Sequence, residues 1–172
     1  LPKARELWLR GYQMTLRPSL LLQRYRPPRP MEIPALEAEL EARLDQRYTW
    51  RWGGAAAAFR LDAYYRGDTT VVHLDAPGIS LPELTKTLRM IPDPAGPVAF
   101  LRKPGALAFE LGRAALSLPR ETTSAGNVVQ TVQPKTVHPL LIWAELLEEG
   151  NDRASEAAAE IALHLLEGDG DA

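Results

Sequence analysis

Ile33, Leu36, Leu40 and Leu44 return every three or four positions. That spacing lines one side of a helix and predicts one over 33–46. Pro34 falls in its first turn, where a missing N–H costs nothing, and Glu39 and Arg43 form an i,i+4 pair on the outer side. The same period returns near the C-terminus. Val137, Leu140, Leu141, Ala144 and Leu147 predict a helix that starts at a Thr136 cap, carries Pro139 in its first turn and stops at Gly150. Asn151 or Asp152 then caps a second helix with an inner face of Ala154, Ala157, Ala158, Ile161 and Leu165. The two form an antiparallel helical hairpin, followed by an acidic tail at 168–172.

Between these helices the pattern changes to that of strands, expected at 48–52, 69–75, 98–103 and 128–132. A helix is expected at 54–65, after Gly53-Gly54, and a short one at 81–88. Residues 92–97 and 120–127 read as loops. Residues 104–126 read either as a helix broken by Gly112 or as a strand pair. At the N-terminus, 3–14 predicts a short helix, with Leu7, Trp8 and Gly11 near one face and Tyr12 one turn beyond Trp8. Pro18 is expected to end it, and 19–26 to be extended. Pro27, Pro28 and Pro30 impose a stiff linker. The pattern divides the chain into an arm, 1–30, and a domain, 31–172. Its fold class is α+β: a mixed sheet of about four to six strands packed with helices.

Charge sharpens that division. Residues 1–30 hold Lys3, Arg5, Arg10, Arg17, Arg24, Arg26 and Arg29 against Glu6 alone, which leaves +6; the chain as a whole carries −2, so the remainder carries −8. The seven cations are the candidate contacts to a nucleic-acid backbone. The alternative is a solvated arginine-rich linker. Trp8, Tyr12, Tyr25, Tyr48, Trp50, Trp52, Tyr64 and Tyr65 lie in the first 65 positions; they are expected to pack, though interleaved arginines would also let them stack on bases.

The 172 residues contain no cysteine, hence no disulfide, thiol nucleophile or thiolate metal site. That composition suits a reducing cytoplasm. No apolar run is long enough for a membrane span. The chain opens at leucine, so a preceding segment is expected.

Candidate chemistry is sparse. Gly53-Gly54 between a strand and a helix resembles a phosphate-binding turn, and Asp75 ends the next strand. A dinucleotide fingerprint needs spaced glycines, however, and the strand before this turn carries Arg51 between Trp50 and Trp52. The turn is therefore read as a packing corner that lets Ala55–Ala58 lie close against the sheet. His73, His138 and His164 lack ligand spacing, so no metal and no cofactor are expected. Glu145, Glu148 and Glu149 read as a solvated helix face. The chain is expected to be non-enzymatic.

Three stretches in order, GYQMTLRPSLLLQRYR (11–26), RWGGAAAAFRLDAYYRGDTTVVHL (51–74) and HPLLIWAELLEEGNDRASEAAAEI (138–161), resemble the antitoxin family of the abortive-infection type IV toxin–antitoxin systems. The first is similar to the segment that joins the family's winged helix-turn-helix to its C-terminal domain. The second is similar to its strand, small-residue helix and following strand. The third is similar to its closing helix pair. The resemblance implies a repressor of its own operon that neutralises a nucleotidyltransferase-like toxin. DNA would bind through the N-terminal region of the intact protein. The winged helix itself would precede Leu1, with 3–14 as its last helix.

Overall fold

The computed structural model describes residues 2–62, 65–111, 122–125, 128–131 and 133–166. Tyr64, residues 112–121 with their helix-or-strand alternative, and the tail lie outside that set.

The helical elements are α1 (Pro2–Gly11), a π turn (Tyr12–Leu16), α2 (Arg17–Leu20), α3 (Ile33–Leu44), α4 (Gly54–Asp62), α5 (Leu81–Leu88), a 3₁₀ turn (Ala106–Phe109), α6 (Pro139–Glu149), α7 (Asp152–Ile161) and a closing π turn (Ala162–Leu166). The strands are β1 (Leu21–Arg26), β2 (Thr49–Gly53), β3 (Thr70–Asp75), β4 (Ile91–Pro92), β5 (Val98–Arg102), β6 (Thr122–Ala125) and β7 (Val128–Thr131).

The fold is α+β, built on a mixed five-stranded sheet in the order β2-β3-β5-β1-β4. Within it β3 and β5 run parallel, and the other neighbours are antiparallel. Parallel neighbours need a crossover, and α5 lies in the connection between them. β1 sits inside the sheet, paired with β5 on one side and β4 on the other. The outer edge of β2 is covered: Trp52 N–H donates to Lys135 O, and Val137 N–H donates to Trp52 O.

Most of the expected elements form within a residue or two of their predicted limits. Leu36, Leu40 and Leu44 are buried along α3, and the Glu39–Arg43 pair closes at 2.6 Å. Ser80 caps α5 by accepting from the Glu83 N–H. Gly150 ends α6 in the left-handed region (φ 69°), and Asn151 Oδ1 caps α7 by accepting from Ala154 N–H at 2.8 Å. Ala154, Ala157, Ala158 and Ile161 are buried, as the spacing predicts.

Four expectations are corrected. Pro18 does not end the first helix, because helical structure runs from Pro2 to Leu20. The π turn before it bonds the Arg17 N–H to Tyr12 O, five residues back. A widened turn leaves backbone groups unpaired, and there a proline without an N–H is tolerated. Residues 122–125 are not loop but β6, antiparallel to β7. The cap of α6 is His138, whose Nδ1 accepts from Leu140 N–H, not Thr136. Thr136 is instead fully buried beside Trp52. The inner face of α6 is also rotated from the predicted one, to Leu141, Ile142, Ala144, Glu145 and Leu146.

One core cluster joins Tyr12 and Tyr25 to α3, β2, α4, β3, β5, α6 and α7. The helix and strand of the first thirty residues thus share a core with the rest. Trp50 and Trp52, two apart on β2, point to one face, meet edge to face at 4.7 Å and are fully buried. Arg60 lies 4.2 Å over Trp52, and Lys135 4.3 Å over Trp50. Trp8 stacks on Tyr12 at 5.2 Å.

Candidate functional site

Among the described residues, the most concentrated buried polar chemistry gathers where α1 and its π turn, the sheet, α4 and α6 meet. Glu145 is at its centre. Its Oε1 accepts from the Tyr12 hydroxyl at 2.9 Å and lies 2.6 Å from His73 Nε2; its Oε2 accepts from the Gly54 N–H at 2.6 Å. Glu145 is 2% exposed and His73 0%. The expectation of a solvated glutamate face therefore fails at Glu145. The inward-facing stripe of α6 runs through it, and a carboxylate in such a stripe persists only when donors surround it.

Each donor has a local origin. His73 lies in TVVHLD, a strand with five consecutive buried residues, so its ring has no solvent face. Tyr12 begins the π turn on the inner side of the N-terminal helix. Gly54 opens α4, where N–H groups lack helical partners and the dipole is positive. Glu149 lies one turn after Glu145 on α6. It accepts from the Tyr65 hydroxyl at 2.6 Å, and Asn151 donates to that hydroxyl at 3.2 Å.

Burial raises the Glu145 carboxyl, but the attraction of His73 and Arg17 and the bond from Tyr12 outweigh it and hold the group below its ordinary range. Burial, reinforced by the Glu145 charge, pushes the Tyr12 phenol far above its normal value. Burial also raises Glu149 despite its bond from Tyr65 and the nearby Ala55 N–H. Glu145 is thus a fixed anion, and its partners are donors held to it.

This arrangement decides the Gly53-Gly54 question. The phosphate-like position at the start of α4 is filled by the chain's own carboxylate. A Cβ on Gly53 would lie 2.4 Å from Glu145 Oε2. A ligand phosphate would have to displace a buried, bonded anion, so the packing-corner reading stands.

The structure scatters the seven predicted cations. Lys3 and Arg10 are exposed on α1, and Arg5 is half-buried. Arg17 is half-buried near Glu145 and Tyr12, and its Nε has no hydrogen-bond partner. Arg24 donates to Gly96 O at 3.0 Å; burial, then the nearby Arg17 charge, lower its pKa. Arg26 pairs with Asp93 at 3.4 Å, and Arg29 with Glu39 at 3.9 Å. The histidines are equally dispersed: His73 in the core, His138 at a helix cap, His164 beside Glu160. Among the described residues no three His, Asp or Glu side chains are grouped to hold a metal. No helix there is long and apolar enough to cross a membrane.

A second buried carboxylate was equally unforeseen. Glu37 on α3 accepts from Arg60 at 2.9 Å and from the Thr70 hydroxyl at 3.3 Å, tying α3 to α4 and β3.

Among known proteins, the family model described as "Transcriptional regulator, AbiEi antitoxin, Type IV TA system" matches residues 3–166, nearly the whole chain. No curated protein and no solved structure matches.

Proposed function

Because the chain belongs to the AbiEi antitoxin family of type IV toxin–antitoxin transcriptional regulators, we propose that it represses its own operon and neutralises a nucleotidyltransferase-like toxin, acting by binding and not by catalysis. DNA is held by the N-terminal region of the intact protein. Its sequence is read by a winged helix-turn-helix preceding Leu1, and Lys3, Arg5, Arg10, Arg17, Arg24, Arg26 and Arg29 supply backbone contacts. The protein acts in the cytoplasm, where operator and toxin both are.

One observation carries this reading: Tyr12, on the basic N-terminal helix, is bonded to Glu145 in the core. That helix is held rigidly against the domain, so its exposed cations keep a fixed position relative to the rest of the molecule. Phosphate contacts position a protein on a duplex, and positioning needs such rigidity.

The test uses the full-length protein and a fragment of its own promoter. Replacing Lys3, Arg10 and Arg26 with alanine is expected to weaken binding and flatten the dependence of log K on log salt by about 0.9 for each phosphate no longer neutralised. An unchanged slope would reject the DNA role of these side chains. Co-expression with the adjacent gene tests the other half. If that gene is toxic, the full protein restores growth. If a DNA-binding-deficient variant rescues equally well, the antitoxic action is carried by the domain without DNA, the second reading of this fold.

A further inference from the structure

A concave patch of about 510 Å³ opens where the C-terminal ends of α3 and α5 meet, lined by Arg43, Gln46, Arg47, Lys86, Thr87 and Arg89, with Glu83 as its only carboxylate among the described residues. Four cations against one anion leave +3 in a part of the chain that otherwise sums to a large negative charge. The bland explanation is that basic residues complement the negative ends of the two helices. It covers Arg43, which donates to Leu88 O and pairs with Glu39, and Lys86 in the last turn of α5. Arg89 caps α5 and Arg47 follows α3 by three residues, so both also stand near those ends, but neither side chain is bonded to a carbonyl or a carboxylate among the described residues. Arg47, Lys86 and Arg89 are exposed and take part in no ion pair among the described residues.

Arg89 carries a second, independent signal. It is the one non-glycine residue with positive φ among the described residues, at 52°. That position ends α5, where glycine sits without strain, and an arginine there costs about 1–2 kcal/mol. The conformation is an ordinary one for a helix end, but an arginine there in place of glycine sets its side chain at the rim of the concavity.

The shape and lining narrow the ligand. Guanidinium forks match phosphate oxygens in pairs, and three uncommitted cations suit several clustered negative charges. No aromatic side chain stands among the described lining residues, so no ring there stacks a base. The surface is concave, which suits a small anion better than the long charged rod of a duplex. We propose that this cleft binds the phosphate chain of a small polyphosphate, free or as part of a nucleotide. The proposal does not depend on the antitoxin reading.

Calorimetric titration of the protein with inorganic tripolyphosphate, ATP and GTP tests it. All three are expected to bind with similar affinity, because only the phosphate chain is recognised. Replacing Arg47, Lys86 and Arg89 together with alanine is expected to weaken binding by about tenfold or more. Glu83→Gln should tighten it, and Arg153→Ala should leave it unchanged. The substituted side chains are exposed, and equal melting temperatures check that folding is retained. The proposal fails if tripolyphosphate shows no binding at about 10 mM, or if binding survives the triple substitution. It also fails if the nucleotides bind and tripolyphosphate does not, or if duplex DNA binds in a way the triple variant abolishes while tripolyphosphate cannot compete.

Discussion

Gly53 and Glu145 show how one side chain can dictate another residue's size. A Cβ at Gly53 would meet Glu145 Oε2 and the His73 ring together. Glu145 is held by three bonds and cannot retreat. Gly53→Ala is therefore expected to cost roughly 1–3 kcal/mol in urea unfolding, as overpacking does; a neutral result would mean that Glu145 is free to move. The pKa of Glu149 is shifted in the opposite direction from that of Glu145. Its folded pKa is raised, so the folded state holds the proton more tightly than the unfolded state does. Any stability linked to that proton is intact at about pH 4 and is lost as pH climbs through the raised value. Glu149→Gln removes the dependence, and so should gain on wild type between about pH 4 and pH 8 in thermal melts. A gap constant with pH would contradict it. These residues were poorly legible in sequence. Glu145, Glu148 and Glu149 form a run that reads as solvated, because periodicity fixes the direction of a side chain only when the helix phase is known. His73 was more accessible: a strand without polar alternation leaves its histidine no way out of the core.

At the scale of elements, the helical hairpin, the α3 stripe and strands β2, β3 and β5 were readable because each follows its own period and carries its own stop signals, whereas the two-residue β4 falls where a loop was expected. The segment before Arg26 was not. Pro18 pointed to a helix end, and nothing in local propensity announces that a π turn will absorb it. The helix from Pro2 to Leu20 is anchored where that turn begins, through the Tyr12 hydroxyl on Glu145. Tyr12→Phe keeps the stack on Trp8 and removes only this bond. A cost of about 1.5–3 kcal/mol is expected, as for other bonds to charged groups. Hydrogen exchange should show it as faster opening of residues 2–20, with α6 and α7 changed less. Uniform opening of the whole chain would place the bond's role in global stability.

For the whole molecule, the basic arm and the acidic domain are a division of charge, while the core is continuous across residue 30. β1 lies between β5 and β4, and Tyr25 is fully buried edge to face with Phe100 at 5.6 Å. A protein starting at residue 31 would expose one whole side of β5 to water and empty two tyrosine sites. It is expected to lose cooperative unfolding in circular dichroism. A sharp, two-state transition in that fragment would show that 31–172 is a domain by itself. Continuity of this kind also governs the order of events at the ribosome. Tyr12 emerges early, but the carboxylate that holds it lies 133 residues further along. Contacts of such long range form late and slowly. A nascent chain therefore carries its basic helix unmoored until almost all of the domain has been made, and only the finished protein presents that helix in a fixed orientation.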